Sequence, residues 1–145
     1  MLQVNFYDSV DDSLLKFAVI ASRCKNQWVF CKHKQRNTYE IPGGHREAGE
    51  TILAAAKREL FEETGAVEFD IKPICVYSVQ GDNGVIHNEE ETFGMLFFAN
   101  ITTFEKLPEF EMEKIELFRG LPDELTYPQI QPMLFDRVKS VISAE

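Results

Sequence analysis

The sequence predicts a mixed α/β fold. Two segments of good helix formers, 51–64 and 129–142, alternate with apolar runs of strand length, and Gly or Pro breaks stand between the two kinds of segment. The 145 residues contain no internal repeat, no low-complexity tract and no Pro/Gly/Ser-rich linker, so one domain over 1–145 is expected.

The elements follow in chain order. Leu14 to Ala21 reads as a strand, and a polar turn at Lys25-Asn26-Gln27 joins it to a second at Trp28 to Cys31, as in a hairpin. Tyr39 to Ile41 is a brief strand that Pro42-Gly43-Gly44 ends with a loop. From Thr51 to Thr64, Ala, Leu, Lys, Arg and Glu dominate; Thr51 or Glu50 stands at the N-cap position and Gly65 at the C′ position. Ile71 to Val79 and Thr92 to Ile101 read as strands around an acidic loop, Gly81 to Glu91. A short strand at Ile115 to Phe118 precedes the last helix, Gln129 to Ile142, entered through Pro128 or begun near Pro132.

Composition narrows the function. At 44% hydrophobic and 27% charged residues the chain is of the soluble globular class, and no apolar run approaches the ~18 residues of a membrane helix. The first dozen residues carry Asp8, Asp11 and Asp12 and no basic residue, the opposite of a targeting peptide, so a cytoplasmic protein is expected. Fifteen Lys and Arg against 24 Asp and Glu leave a net charge of −9, which disfavours long nucleic acid as a partner. A phosphorylated ligand would then need metal ions for much of its positive counter-charge. Cys24, Cys31 and Cys75 form no CxxC pair and read as small buried hydrophobes. Monomer and homodimer are both compatible with the sequence.

The chemistry concentrates on the first helix. Glu59, Glu62 and Glu63 lie at i, i+3 and i+4, within one arc of ~100°, whereas Leu53, Leu60 and Thr64 share another face. Three carboxylates within one turn repel one another, Arg58 can neutralise one, and the helix C-terminus disfavours anions. A solvated acidic face is the plain alternative. A Mg²⁺ or Mn²⁺ ion held by hard oxygens is the arrangement that removes the cost.

Gly44, Glu50 and the run Arg58-Glu59-Leu60-Phe61-Glu62-Glu63-Thr64-Gly65 complete a pattern, G-x5-E-x7-R-E-U-x-E-E-x-G-U, over Gly44 to Ala66. Here the chain resembles the Nudix hydrolases (MutT-like proteins). Every fixed position matches; the departure is Ala66, where the family has a bulkier aliphatic residue. In physical terms, Gly43 and Gly44 would let the backbone approach a phosphate chain, Arg58 would orient a carboxylate through a forked hydrogen bond, and Leu60 would anchor the helix to the core.

The resemblance implies an α/β/α sandwich with a central mixed sheet. It also implies divalent-cation-dependent hydrolysis of a nucleoside diphosphate linked to another group, with Glu59, Glu62 and Glu63 as metal ligands and Glu50 assisting. The base that deprotonates water is a box glutamate or one from a later loop. Glu111 stands at the distance before Glu116-Leu117-Phe118 that MutT-like members use; Glu89-Glu90-Glu91, Glu109 and Glu113 are the other acidic candidates. Glu59, Glu63, Glu111 and Arg58 are thus the expected catalytic residues. Lys32, Arg36 and His45 are expected to meet the substrate phosphates beside Gly43 and Gly44.

The proline and tyrosine that mark the family's ADP-ribose and dinucleoside polyphosphate subgroups are missing: Pro73 comes too early, and Gly84 and Val85 stand where the tyrosine would be. The best reading is a nucleoside triphosphate, including oxidised purine nucleotides, cleaved to monophosphate and pyrophosphate, with Gln129 or Gln131 reading a base edge. Removal of diphosphate from a 5′-triphosphorylated RNA end, and a non-hydrolytic nucleotide-binding domain, are the alternatives.

Overall fold

The computed structural model describes residues 2–82 and 87–144. Its strands are β1 (Gln3–Tyr7), β2 (Leu15–Cys24), β3 (Gln27–His33), β4 (Tyr39–Glu40), β5 (Gly43–His45), β6 (Ala66–Asp82), β7 (His87–Phe104) and β8 (Met112–Phe118); its helices are α1 (Ile52–Thr64) and α2 (Gln131–Ser143). The strands form one sheet in the order β1-β6-β7-β2-β3-β4, with β5 added to β2 and β8 to β3. Among the pairings of these strands in the described residues, β2–β7 is parallel and the others antiparallel, so the sheet is mixed.

β2 is the central strand because its side chains are apolar on both faces. Ala18 and Ile20 pack with Ala56 and Leu60 of α1, whereas Phe17, Val19 and Ala21 pack with Leu134, Phe135 and Val138 of α2. The period-2 alternation of one strand therefore sets a helix on each face, which makes the α/β/α sandwich. The two-residue turn between β2 and β3 has Lys25 at φ 51° and Asn26 at φ 67°, the left-handed pair that matches strand twist in a tight hairpin.

Several boundaries differ from the sequence reading. β1 was not expected, yet Val4 and Phe6 pack on the α2-side core, and the strand pairs with β6 from Gln3 opposite Gln80 to Tyr7 opposite Val76. Gly43 and Gly44 form a strand, not a loop, because they pair with Val19 and Ala18 of β2. The acidic segment is largely strand too: Gly81–Asp82 and His87–Glu91 extend β6 and β7, and Gly84 and Val85 lie outside the described residues. Leu53, placed on one face with Leu60 and Thr64, is 40% exposed, whereas Ala55 and Ala56 are buried with Leu60. α2 starts at Gln131, with proline at its first turn. Ala66 is 1% exposed and belongs to the same buried cluster as Leu60 and Ile101.

Candidate active site

α1 is delimited at both ends by hydrogen bonds that sequence chemistry dictates. Thr51 Oγ1 accepts the Ala54 N–H at 3.0 Å, and Gly65, at φ 80°, donates its N–H to Phe61 O at 2.8 Å. A Cβ on Gly65 would come within 2.6 Å of Glu105 O. These ends fix the rotation of α1, which turns Leu60 into the core and Glu59 and Glu63 toward β5.

The two glycines of β5 receive those carboxylates. Gly43 N–H donates to Glu63 Oε1 at 2.8 Å. A Cβ on Gly43 would stand 2.6 Å from Ala18 O, and one on Gly44 would run into the Glu59 carboxylate. Neither has a positive φ among the described residues. The glycines are therefore needed for close approach, and the groups that approach them here are β2 and the glutamates of α1.

Arg58 organises the rest. Its Nε and Nη2 donate to Glu50 Oε2 and Oε1 at 2.7 and 2.9 Å, a forked pair; Nη2 also donates to His45 O at 2.9 Å, and Nη1 to Glu59 Oε1 at 2.9 Å and Glu62 Oε1 at 3.4 Å. The Arg58 guanidinium, helped by the Glu47 N–H, lowers the Glu50 carboxyl to about 2. Both Glu50 oxygens are engaged in these bonds. Glu50, expected to assist the metal ligands, thus anchors Arg58 at the edge of the site.

Glu59, Glu62, Glu63 and Glu111 line one cavity of about 420 Å³ together with Arg58, His45 and Phe110. Glu63 is 8% exposed. Burial pushes its carboxyl up to about 8, the negative charges of Glu59, Glu40 and Glu111 add to the rise, and the Gly43 N–H opposes it. Burial also raises Glu59, against the pull of Arg58. Carboxylates that resist ionisation because they share a partly buried site are the donor set a hard divalent cation relieves. Among the described residues no three acidic, His or Cys side chains stand as a ready chelate, so the glutamates would turn from Arg58 toward a cation to hold it. Such an ion supplies charge neutralisation on phosphate oxygens and a more acidic water. The chain's own part is to hold Glu59 and Glu63 against β5 and to leave Glu111, on a separate segment, facing them.

A second cavity, of about 620 Å³, lies on the α2 side of β5 and is lined by Phe17, Ile41, Tyr77, Tyr127, Gln131 and Glu40 among others. Gly43, Gly44 and His45 line both cavities. An aromatic-walled chamber of nucleoside size thus meets an acidic one at β5.

A family model described as NUDIX domain matches residues 14–132. A Bacillus subtilis (strain 168) protein, YtkD, provisionally named an 8-oxo-dGTP diphosphatase, is 33% identical over 126 residues, 86% of this chain and 75% of its own. The chain belongs to the Nudix hydrolase family. The crystal structure of the Bacillus subtilis pyrophosphohydrolase BsRppH superposes with a TM-score of 0.77 at 27% identity, covering 97% of this chain and 90% of that one. A MutT Nudix hydrolase from Burkholderia pseudomallei shares the fold, with a TM-score of 0.61 at 19% identity, covering 84% of this chain and 95% of that one.

The remaining candidates of this Nudix hydrolase separate clearly. His45 sits between the two cavities, edge-on to Phe17 with ring centroids 6.3 Å apart. Lys32 is not brought to the carboxylates: its Nζ pairs with Glu113 at 3.3 Å. Arg36 pairs with Glu40 at 3.4 Å and lines neither cavity. Each of these two residues, expected to meet the substrate phosphates, thus has an acidic partner in this structure and lines neither cavity. Glu91 accepts from Tyr7 and Ser78 hydroxyls, and none of Glu89, Glu90, Glu91 and Glu109 lines the carboxylate cavity. Of the two glutamines, Gln131 lines the second cavity and Gln129 does not. Sequence reasoning missed Phe17, Glu40, Tyr77 and Tyr127; they come from separate elements, and no spacing links them.

Proposed function

We propose that the chain hydrolyses nucleoside triphosphates to monophosphate and pyrophosphate, with Mg²⁺ or Mn²⁺ bound by Glu59, Glu62 and Glu63. One observation carries the reading: a nucleoside-sized aromatic cavity and a carboxylate cavity share Gly43, Gly44 and His45. A nucleotide with its base among Phe17, Tyr77 and Tyr127 extends its phosphates past β5 into the acidic chamber. Water then attacks phosphorus, a P–O bond forms to the water oxygen, the bridging P–O bond breaks, and pyrophosphate leaves. Glu111 takes the water proton in this scheme, because it faces the box glutamates yet is not tied to Arg58.

The name of YtkD supports a purine triphosphate, oxidised forms included, and the three free, buried thiols suit a cytoplasmic setting. The test is a panel of nucleoside triphosphates, nucleoside diphosphates, ADP-ribose, dinucleoside tetraphosphates and a 5′-triphosphorylated RNA with Mg²⁺, detecting pyrophosphate and phosphate separately. Pyrophosphate from triphosphates is the expected result. A protein that prefers ADP-ribose or the RNA end over every free triphosphate refutes the substrate assignment and leaves family membership intact.

A further inference from the structure

The far end of the sheet carries a further cavity that the proposed reaction does not use. Its volume of about 450 Å³ falls in the range of small-molecule sites, and its walls include Arg23, Asp70, Lys72, Phe98, Asn100 and Ser143. Arg23 stands six residues beyond Phe17 on β2, so about 20 Å of strand separates this cavity from the aromatic one.

Strand register builds the polar wall. Arg23 of β2 lies opposite Asn100 of β7, and Asn100 lies opposite Asp70 of β6, which makes one row across three strands. Lys72, two residues beyond Asp70, lies opposite Phe98. Side chains two apart share a face, so these groups stand on the side of the sheet where Phe98 joins the α2-side core.

Arg23 is held in place by a ring. Its Cζ lies 5.1 Å from the centre of the Trp28 ring, and Trp28 is itself buried against Phe98 and Phe135, with ring centroids 6.1 and 4.6 Å away. Such a contact occupies one face of the guanidinium and leaves the N–H donors, which lie in its plane, for other partners. Arg36, Arg46 and Arg58 each meet a carboxylate. Among the described residues none pairs with Arg23, in a chain whose net charge is −9. Lys72 adds a second positive charge to the same cavity, and Asn100 and Ser143 add neutral polar groups. The Asp70 carboxylate and the carbonyl end of α2 oppose an anion, which keeps its affinity modest.

We infer that this cavity binds a phosphate-type oxyanion, gripped by the planar fork of Arg23 with Lys72 beside it. The site is separate from the carboxylate cavity and does not depend on the nucleotide reading given above.

Inorganic phosphate and pyrophosphate are the probes, titrated into the whole protein in chelator so that no metal draws them to the box glutamates. The Arg23 Nε–H signal in ¹⁵N NMR spectra should move saturably, and calorimetry should give the matching Kd. Arg23→Gln should weaken binding by about tenfold or more, and Arg23→Lys, which keeps the charge without the fork, by a smaller factor. Asp70→Asn removes the opposing charge and should tighten binding by about twofold or more. Glu63→Gln should leave the Kd unchanged. Absence of a saturable shift with either anion at millimolar concentrations overturns the inference. So does a Kd that Arg23→Gln leaves unchanged, or binding that Glu63→Gln abolishes. Asp70→Asn leaves the contact of Arg23 with Trp28 in place and decides the matter if Arg23→Gln does not fold: unchanged or weaker anion binding in that variant refutes the site.

Discussion

Glu63 is where stability and function pull against each other, and Glu63→Gln separates them. In the folded protein without metal its carboxyl stands at about 8, against an ordinary value of 4.5. Between those limits the folded state holds the Glu63 proton more tightly than the unfolded chain, so this group's contribution to metal-free stability is greatest below about pH 4.5 and falls as pH rises toward 8. Each pH unit is worth about 1.4 kcal/mol, which, allowing for relaxation of the site, makes the loss about 2–4 kcal/mol by pH 7.5. Glutamine keeps a carbonyl for the Gly43 N–H and carries no charge. In chelator at pH 7.5 the variant should therefore melt about 5–15 °C above the unmodified protein, and the gap should shrink toward zero by pH 5. Added Mn²⁺ should raise the melting temperature of the unmodified protein far more than that of the variant. Hydrolysis by the variant should fall by orders of magnitude. Thermal melts at four pH values, with chelator and with millimolar Mn²⁺, measure all of this. A variant less stable than the unmodified protein in chelator at pH 7.5, or a gap that does not change with pH, refutes the argument that burial and neighbouring charge oppose ionisation of Glu63.

Glu111→Gln should lower turnover by about 100-fold or more while leaving monophosphate affinity nearly unchanged, as measured by stopped pyrophosphate assays and calorimetry; unmodified turnover returns Glu111 to the solvated surface. Gly44→Ala places a methyl group where the Glu59 carboxylate lies, so Mn²⁺ affinity, read by electron paramagnetic resonance, should drop with turnover, and a fully active variant would show that Glu59 need not lie against β5. Arg58→Lys removes the fork to Glu50 and three further hydrogen bonds, and its turnover should fall by about tenfold or more; retention of full activity would show that a point charge suffices there. Thr51→Ala should cost about 1 kcal/mol of stability through the lost cap, seen in urea denaturation, with the metal response unchanged.

The sequence by itself determined the helix that carries the chemistry. Thr51 and Gly65 end α1 through bonds made within a few residues, and Glu59, Glu62 and Glu63 share an arc because helical periodicity leaves no other choice. Such features are local: every interacting group lies within about two turns, so residue order and geometry suffice. The family followed from the same stretch, and with it the sandwich.

Only the tertiary structure decided what those local pieces meet. Gly43 and Gly44 read as a loop because glycine weakens a strand, yet pairing with Ala18 and Val19 makes them one, and contact with Glu59 and Glu63 makes glycine necessary. The fork of Arg58 goes to Glu50, eight residues back, because the β5–α1 connection folds Glu50 over the guanidinium; nothing in the spacing chooses Glu50 over Glu62. Lys32 meets Glu113 of the neighbouring strand and Arg36 meets Glu40 four residues on, and charge composition does not say which opposite charge each will meet. The cavity of Phe17, Tyr77, Tyr127 and Gln131 draws on β2, β6 and the approach to α2, more than 100 residues apart in the chain. Gln131 joins its wall through a hydrogen bond from Ile41 N–H to Gln131 Oε1, which exists only once α2 has docked on the sheet.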